Sequence, residues 1–377
     1  MTHPAPHRIL VAPQEFKGSL TAFEAAAAIA RGVREALPGA DVVELPIADG
    51  GPGTVAIVAA ITGARLMRHA ATGPLGDPVD AAYALLERPS GRLAVIEAAA
   101  AAGMVLLPEP ERDALRTSSN GVGEQVRSAL DAGAEEIVVG VGGTATNDGG
   151  SGAAHALGMR LLDPAGQPLP GGGIHLARLA RVEPPDDPRL ADVRLRIAVD
   201  VQNPLLGPHG ATAIYGAQKG LTEWQAPALE HAVARWAQRL RDDLGRDVAG
   251  IAGSGAGGGI PAGLLATFPR ARIESGAALV AEAIGLRAAV AAADLVITGE
   301  GALDAQTAYG KSVGHVAALA HELGRPCLAV AGVVVGRPEA IADVEVLDGT
   351  PERAMAEAAS LASAAAARLA GRWAAGR

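Results

Sequence analysis

Residues 136–150 read EIVVGVGGTATNDGG, an apolar run that passes directly into a loop of glycine, threonine and aspartate. A short apolar run bounded by turn residues predicts a buried strand. In open parallel sheets, ligands bind beyond the carboxyl ends of the strands. Glycine lets backbone N–H groups approach a phosphate, and a carboxylate can hold Mg²⁺ or orient a hydroxyl. We therefore interpret residues 142–150 as a candidate phosphate-binding loop.

The same succession of apolar run and polar loop recurs along the chain. Further apolar runs predict strands at residues 8–12, 42–48, 93–97, 195–199, 294–298 and 326–331. Loops that contain glycine, aspartate or both follow four of them, at residues 14–19, 49–54, 200–204 and 299–304. One such loop would mean little, because these residues also serve turns. Several of them at strand ends favour a ligand-binding edge.

The fold class follows from how these strands alternate with helical segments. Thr21 and Glu24 are spaced as a capping box and predict a helix over residues 21–37, and a second helix is expected at 312–323. A chain of 377 residues exceeds one ordinary compact domain. We predict two α/β domains with a cleft between them. The outer one is a doubly wound parallel sheet, Rossmann- or flavodoxin-like, formed by residues 1–70 and 285–377, and residues 71–284 form the inserted one.

Composition limits the classes of function. Hydrophobic residues make up 49% of the chain but aromatic residues only 2%, which predicts a core of Ala, Val, Leu and Ile. The net charge of −9 and the absence of basic runs argue against nucleic-acid or membrane partners. The lone Cys327 lies in an apolar stretch, so we expect a buried thiol, no disulfide and a reducing compartment. No signal peptide is recognisable, and we expect a soluble, cytoplasmic protein.

Lysine is rare in this chain and always adjacent to glycine. Among 32 basic residues only Lys17, Lys219 and Lys311 are lysines, each next to a glycine. Lysine is a compact point charge, whereas the arginine fork does not fit every phosphate site. Three solvated surface lysines are the alternative. We favour the interpretation that one or more of them contacts a phosphate or a carboxylate.

Other motifs are weaker. Residues 305–312, AQTAYGKS, fit a relaxed P-loop pattern without its first glycine, and residues 253–258, GSGAGG, have no convincing strand before them. The second motif is a plausible phosphate or hinge loop, and a dehydrogenase is a poor interpretation. The histidines show no zinc spacing, so His155 and His315 are expected to be structural. No G-x-S-x-G elbow supports a hydrolase.

Taken together, the loops match a known family in order and spacing. The matching segments are Phe16-Lys17-Gly18-Ser19-Leu20, Asp49-Gly50-Gly51, Thr72-Gly73-Pro74-Leu75-Gly76, Arg116-Thr117-Ser118-Ser119, residues 142–150, Asp200, Asn203-Pro204-Leu205, Gln218-Lys219-Gly220 and Thr298-Gly299-Glu300-Gly301 with Asp304. On these residues the chain resembles the class I glycerate kinases (glycerate 2-kinases) over nearly its whole length. The resemblance implies a two-domain α/β kinase with ATP as the phosphoryl donor, D-glycerate as the acceptor and 2-phosphoglycerate as the product.

Several positions depart from the family pattern. Gln14 and Glu15 stand where the family usually has Asp and Ser, and Pro52 stands where it usually has Glu. Gln202 replaces the usual Thr, and Ala217 the usual Pro. These changes spare most residues expected to handle the nucleotide. They therefore concern the acceptor pocket, and a kinase for another small hydroxy acid is one alternative.

Our hypothesis gives each loop a role in phosphoryl transfer, which needs alignment and charge neutralisation. The predicted catalytic residues are Lys17, Asp49, Asp200 and Lys311. The predicted acceptor-binding residues are Ser19, Gly50, Gly51, Thr54, Ser118 and Asn203. The predicted nucleotide-binding residues are Gly142, Gly143, Thr144, Asp148, Lys219, Gly299, Glu300 and Gly301. Asp200, favoured over Asp148 and Asp304, takes the proton of the acceptor hydroxyl or holds Mg²⁺, with Asp304 as a second metal ligand.

Two further alternatives remain open at this point. One is a catalytically silent regulator that binds a nucleotide or metabolite, against which the three glycine-flanked lysines argue. The other concerns assembly, since the sequence allows a monomer or a homodimer.

Overall fold

The structure is a computed structural model that describes residues 7–303 and 312–376. Asp304 and Lys311, predicted as metal and catalytic residues, lie outside the described residues, as does most of the P-loop-like segment. The chain divides into two compact units. Unit 1 runs up to Asp49 and resumes at Ala277, and unit 2 is Gly50–Gly276.

The strands and helices of the described residues are as follows. The strands are β1 (Arg8–Pro13), β2 (Asp41–Glu44), β3 (Arg65–Thr72), β4 (Pro78–Arg88), β5 (Gly91–Glu97), β6 (Glu136–Gly140), β7 (Arg160–Leu162), β8 (Arg181–Glu183), β9 (Arg194–Ala198), β10 (Arg272–Glu274), β11 (Leu295–Leu303), β12 (Cys327–Val334) and β13 (Asp343–Val346). The helices are α1 (Ala22–Ala36), α2 (Thr54–Thr62), α3 (Ala99–Ala102), α4 (Asn120–Asp131), α5 (Ser151–Ala156), α6 (Arg189–Asp192), α7 (Ala211–Tyr215), α8 (Ala226–Leu244), α9 (Ala256–Thr267), α10 (Gly276–Ala283), α11 (Leu286–Ala291), α12 (Ser312–Glu322), α13 (Pro351–Ala356) and α14 (Ala358–Ala375). Short 3₁₀ turns lie at Met104–Leu106, Glu109–Glu111, Gly173–Arg178 and Ala217–Lys219.

Unit 1 is built on a five-stranded parallel sheet in the order β13-β12-β11-β1-β2. Helices α1 and α14 pack together over one set of its buried side chains, and α12 also contacts β11 and β12. The two alanine-rich helices approach closely at Gly32, where a Cβ atom would lie 1.9 Å from the carbonyl oxygen of Ser363. The small side chains expected from the composition therefore form this core.

Unit 2 is built on a mixed six-stranded sheet in the order β10-β9-β6-β5-β4-β3. The strands β10, β9, β6 and β5 are parallel, and β4 and β3 are antiparallel additions. A second helical layer surrounds the buried Trp236 of α8. The predicted α/β class with a parallel sheet is confirmed.

The boundaries of the two units lie earlier than the sequence predicted. The structure divides the chain after Asp49 and after Gly276, whereas the sequence analysis placed the boundaries at 70/71 and 284/285. The reason at the first boundary is β3, which pairs along its whole length with β4 of unit 2. Most of β3 faces solvent, so it contains no apolar run from which a strand could be predicted.

Two local predictions in unit 1 are confirmed. Thr21 caps α1, its side-chain oxygen accepting from Glu24 N, and the Glu24 carboxylate accepts from Thr21 N at 2.9 Å. The Cys327 thiol is buried, and burial raises its pKa to about 12. No helix among the described residues is both long and apolar enough to cross a bilayer.

Candidate active site

In unit 1, the loop after β1 presents a lysine at the tip of a tight turn. Phe16 N donates to Leu20 O at 2.9 Å, and Leu20 N donates to Phe16 O at 3.0 Å. Gly18 takes φ +82°, a conformation that favours glycine. The turn leaves Lys17 exposed, while Ser19 Oγ donates to Phe16 O at 3.0 Å. Lys17 is thus available to a ligand, and the Ser19 hydroxyl supports the turn.

Asp49, at the end of the segment that follows β2, joins this loop. Gln14 Nε2 donates to Asp49 Oδ2 at 3.3 Å. Burial raises the pKa of Glu15, the Asp49 charge raises it further and the Lys17 charge opposes the increase. The charges of Lys17 and Asp49 therefore both act on Glu15, and Gln14 and Glu15 in this group are two of the departures from the family pattern.

The predicted nucleotide residues of β11 lie beside the same loop. Gln14 N donates to Gly299 O at 2.8 Å, and a Cβ at Gly301 would lie 3.3 Å from Lys17 N. A Cβ at Gly299 would lie 2.4 Å from Val330 O of β12. These two glycines permit close backbone packing around Glu300. This packing gives a structural reason for glycine at both positions, alongside the predicted contact with nucleotide.

In unit 2, the turn from Gly50 to Thr54 is closed by a threonine hydroxyl. Gly50 N donates to Thr54 Oγ1 at 3.1 Å, and Thr54 Oγ1 donates to Gly51 O at 2.7 Å. Thr54 is only 1% exposed, so its hydroxyl orders the turn. Three of the six predicted acceptor-binding residues lie in this turn, and among them Thr54 holds the backbone of Gly50 and Gly51 in place.

Glu97, which the sequence analysis did not select, anchors the helix after this turn. Its Oε1 accepts from Val55 N at 2.5 Å, at the start of α2. Burial raises the pKa of Glu97, and hydrogen bonds from the backbone of Val55 and Gly53 oppose this increase. Its position as the last residue of a predicted strand was the available signal.

The Gly50 turn packs against the beginning of the 142–150 loop. A Cβ at Gly140 would lie 1.9 Å from Gly50 O, and one at Gly142 would lie 3.0 Å from Gly51 Cα. A Cβ at Gly143 would lie 2.9 Å from Pro52 Cγ. A side chain at Gly140 would collide with backbone, and one at Gly142 or Gly143 would require its neighbour to shift. The family departure at Pro52 therefore lies directly against the candidate phosphate loop.

The 142–150 loop offers polar groups that have no protein partner. Within the described residues, the N–H groups of Gly142 and Gly143 make no hydrogen bond, and Gly143 takes φ +71°. The Thr144 hydroxyl is buried and is also without a partner in this part of the chain. Successive backbone N–H groups in such turns form anion-binding concavities. This geometry supports the nucleotide-binding prediction for these three residues.

Asp148 is turned into the protein. It is 0% exposed, and its Oδ2 accepts from Ser119 N at 2.8 Å, Ser119 Oγ at 2.9 Å and Gly152 N at 3.1 Å. Its Oδ1 accepts from Gly150 N at 3.0 Å. Burial raises the pKa of Asp148, and these four bonds oppose the increase. The contacts favour a role in joining α4, α5 and the loop, and not the predicted contact with nucleotide.

Lys219 is likewise buried beneath the loop. It is 2% exposed, and its Nζ donates to Thr146 O at 2.7 Å. Burial lowers the pKa of Lys219 to about 7, and the Asp148 charge opposes the decrease. Trp236 Nε1 donates to Gly149 O at 2.9 Å. Buried polar side chains thus hold the loop from beneath, and Lys219 binds the loop backbone at Thr146.

The glycine-rich motif at 253–258 also supports this loop. Gly257, Gly258 and Gly259 have positive φ and interrupt the start of α9. A Cβ at Gly258 would lie 1.8 Å from Thr146 O, and Gly149 N donates to Gly258 O at 3.0 Å. The motif packs under the 142–150 loop, which accounts for its glycines without a dinucleotide.

The loop after β9 contains one anchored carboxylate and one structural amide. Asp200 is half-buried, and its Oδ1 accepts from Ser275 Oγ and Gly276 N, both at 2.9 Å. Asn203 Nδ2 donates to His209 O at 2.8 Å, and its Oδ1 accepts from Tyr215 OH at 2.6 Å. Asp200 thus holds a fixed position at a strand end, whereas the Asn203 side chain orders its own loop.

Ser118, also predicted to bind the acceptor, lies in a different part of unit 2. Its N–H donates to Pro74 O at 2.8 Å, and its Oγ accepts from Asn120 N at 3.3 Å. It lines a cavity with residues of the Thr72–Gly76 segment. Among the predicted acceptor-binding residues, Ser118 therefore belongs to this cavity and not to the Gly50 turn.

Open backbone N–H groups and charged side chains at strand ends are typical of α/β proteins that bind phosphorylated small molecules. The comparison with known proteins specifies the family. A model described as the glycerate kinase family matches residues 9–374, and the chain belongs to that family.

Relatives of the chain carry consistent names. It is 45% identical to a glycerate kinase of Bacillus subtilis over 87% of this chain and 85% of that one. It is 43% identical to a glycerate 2-kinase of Escherichia coli over 86% and 85%. A Salmonella typhimurium LT2 crystal structure, provisionally named glycerate kinase 2, is 41% identical with a TM-score of 0.86, covering 98% of this chain and 99% of that one.

Proposed function

We propose that the chain transfers the γ-phosphoryl group of ATP to D-glycerate and forms 2-phosphoglycerate. The observation that carries the proposal is the family match over residues 9–374, since it includes every described loop discussed above. The relatives named glycerate kinase and glycerate 2-kinase support the acceptor and the hydroxyl that is phosphorylated. The use of ATP and the lone buried Cys327 are consistent with a cytoplasmic enzyme.

The phosphates of the donor bind at the 142–150 loop in this proposal. The N–H groups of Gly142 and Gly143 are the open donors that support it, and the buried Thr144 hydroxyl beside them has no partner among the described residues. Such preorganised donors stabilise the charge of a transferring phosphoryl group. Asp148 and Lys219 then act as positioning residues, because both contact the loop and neither is exposed.

The acceptor carboxylate binds at Lys17. This assignment is supported by the exposure of Lys17 at the tip of its turn and by its proximity to Asp49 and Glu15. A lysine ammonium is a compact charge suited to a small carboxylate or a phosphoryl oxygen. Glu15 is the observation that keeps another hydroxy acid under test, since an extra carboxylate beside Lys17 affects which acid is accepted.

Mg²⁺ is expected with ATP, and Asp200 is the described carboxylate whose chemistry fits it best. Mg²⁺ commonly takes one or two protein carboxylates together with substrate phosphates. Asp200 is held at the end of β9 by Ser275 and Gly276, which makes it a rigid oxygen ligand. When bound, Mg²⁺ neutralises charge on the donor phosphates. Alternatively, Asp200 accepts the proton of the acceptor hydroxyl.

The proposal is tested by coupled ADP release from purified protein with ATP, Mg²⁺ and D-glycerate, with L-glycerate and related hydroxy acids in parallel. Phosphorus NMR of the product distinguishes 2-phosphoglycerate from 3-phosphoglycerate. Turnover confined to another acid would replace D-glycerate as the acceptor. No turnover by folded protein that binds ATP would favour the silent regulator. Full activity of Asp200→Asn would remove Asp200 from the mechanism.

A further inference from the structure

A cavity of about 360 Å³ within unit 2 has a wall that glycerate cannot use. Leu161, Leu169, Pro170 and Leu176 form an apolar side of this cavity. Glycerate has three carbons, one of which is the carboxylate while the other two each carry a hydroxyl, so it offers very little apolar surface to such a wall. Cavities of this size that combine apolar walls with a few polar groups are typical of sites for larger ligands.

The cavity is preformed by hydrogen bonds between distant segments. Leu169 N donates to Leu161 O at 2.9 Å, which folds the loop after β7 back onto that strand. Gly172 takes φ +104°, and a Cβ there would lie 2.7 Å from Arg116 O. Ser118 N donates to Pro74 O at 2.8 Å on the opposite side. The slot therefore does not depend on a ligand to shape it.

The polar side of the cavity carries positive charge. Arg116 lines it, is exposed and makes no ion pair with any residue that the structure describes. Asn120, the first residue of the 12-residue helix α4, also lines it. The nearby Glu124 carboxylate is already engaged by Thr72 N at 2.6 Å and Asn120 Nδ2 at 2.7 Å. The Arg116 guanidinium and the first turn of α4 therefore favour an anion at this end, and the Glu124 carboxylate opposes them.

We propose that this cavity binds the nucleoside part of the phosphoryl donor, with the base against the apolar wall and Arg116 facing its phosphates. The inference rests on the proposed kinase function and assigns Ser118 to the donor, not to the acceptor. The cavity and the 142–150 loop share their supports. Thr117 Oγ1 donates to Ala145 O at 3.1 Å, and Ser119 is bound to Asp148.

The test measures ADP binding by isothermal titration calorimetry, together with the KM for ATP and for D-glycerate. Pro170→Trp places a large ring at an exposed wall position, and Arg116→Ala removes the free guanidinium. We expect Pro170→Trp to weaken ADP binding at least tenfold and Arg116→Ala to weaken it about tenfold. The KM for ATP rises in both, and the KM for D-glycerate does not. Arg65→Ala, an exposed arginine elsewhere in unit 2, is the matched control and changes neither.

Binding of adenosine distinguishes the contribution of the apolar wall from that of Arg116. It is weakened by Pro170→Trp but not by Arg116→Ala, because adenosine has no phosphate. Unchanged ADP affinity in both variants, or a change confined to the KM for D-glycerate, overturns the proposal. Absence of D-glycerate turnover by wild-type protein, with ADP binding lost in Pro170→Trp, would reject the acceptor assignment and still support the cavity.

Discussion

The loop at residues 16–20 in unit 1 and the loop at 142–150 in unit 2 are held in place by different kinds of contact and expose different groups. The first is held by its own backbone hydrogen bonds and exposes the charge of Lys17. The second is held by buried polar side chains, Asp148 and Lys219 among them, and exposes only backbone. A charged side chain can serve a ligand only in the first arrangement.

The difference separates two kinds of residue that motif analysis treats alike. A buried charge is stable only if protein groups pair with it, so its role is to bind those groups and not a ligand. An exposed charge contributes little to folding and is available to a substrate. Substitutions in the two loops should therefore affect different measurements, stability in unit 2 and turnover in unit 1.

The largest effect is expected for Asp148→Ala. The change leaves the N–H groups of Gly150 and Gly152 and both donors of Ser119 without their acceptor in a buried site. We expect a loss of about 3–5 kcal/mol in unfolding free energy, and therefore a Tm lower by roughly 10 °C. Differential scanning calorimetry measures it. A smaller decrease than that of Asp49→Ala, at the half-buried carboxylate of unit 1, would contradict the comparison.

Lys17→Met should show the reverse pattern. Removing an exposed charge from the proposed acceptor site is expected to lower kcat/KM for D-glycerate about 10²–10³-fold. The Tm should stay within about 1 °C of wild type, since exposed charges contribute little to stability. Steady-state kinetics and calorimetry on the same preparation decide. Retained activity would show that Lys17 is one of the solvated lysines of the alternative interpretation.

The sequence predicted where these loops lie but not which way their side chains point. The ends of β1, β6 and β9 were recognisable because each follows a local apolar run. Lys17 and Lys219 both adjoin glycine, and nothing local distinguishes them. The burial of Lys219 depends on Thr146, 73 positions away along the chain. Orientation was thus a property of long-range packing.

The same limit explains why the sequence analysis placed the first domain boundary after β3 and did not predict the pairing of β3 with β4. β3 contains Arg65, Arg68 and His69 on largely exposed positions, so its strand character comes from pairing with β4 and not from its own pattern. Strands buried on both faces have continuous apolar runs, whereas this antiparallel edge has one solvated face. The parallel strands were therefore predictable, and the antiparallel extension of unit 2 was not.

The pH dependence of stability distinguishes the two lysines further. Burial lowers the pKa of Lys219 to about 7, whereas lysine in an unfolded chain has a pKa of about 10.4. Between these values the unfolded state binds more protons, so Lys219 makes stability rise with pH, by at most about 1.4 kcal/mol per pH unit. In Lys219→Met this contribution is absent. Thermal melts between pH 7 and pH 9.5 measure it.

Lys17→Met serves as the matched control for that experiment. Its melts should follow the wild-type pH profile, because Lys17 is exposed. If Lys219→Met also keeps the wild-type profile, then Lys219 does not release its proton on folding. A parallel loss of both profiles would mean that the two loops are not held differently.

The smallest effect concerns Glu15, which lies beside Lys17 and Asp49 in unit 1. An ionised Glu15 competes with the acceptor carboxylate for Lys17, so Glu15→Gln should lower the KM for D-glycerate by roughly two- to fivefold with kcat unchanged. Partial burial, and then the Asp49 charge, raise the pKa of Glu15, so its charge is lost at a higher pH than that of an ordinary glutamate. The wild-type KM should therefore fall towards that of the variant as the pH is lowered, while the KM of the variant stays constant over the same range.

Glu15→Asp, which keeps the charge, should behave like wild type. A higher KM in Glu15→Gln would instead mean that Glu15 itself contacts the acceptor, through a hydroxyl, and that the exposed charges of unit 1 act together on the substrate.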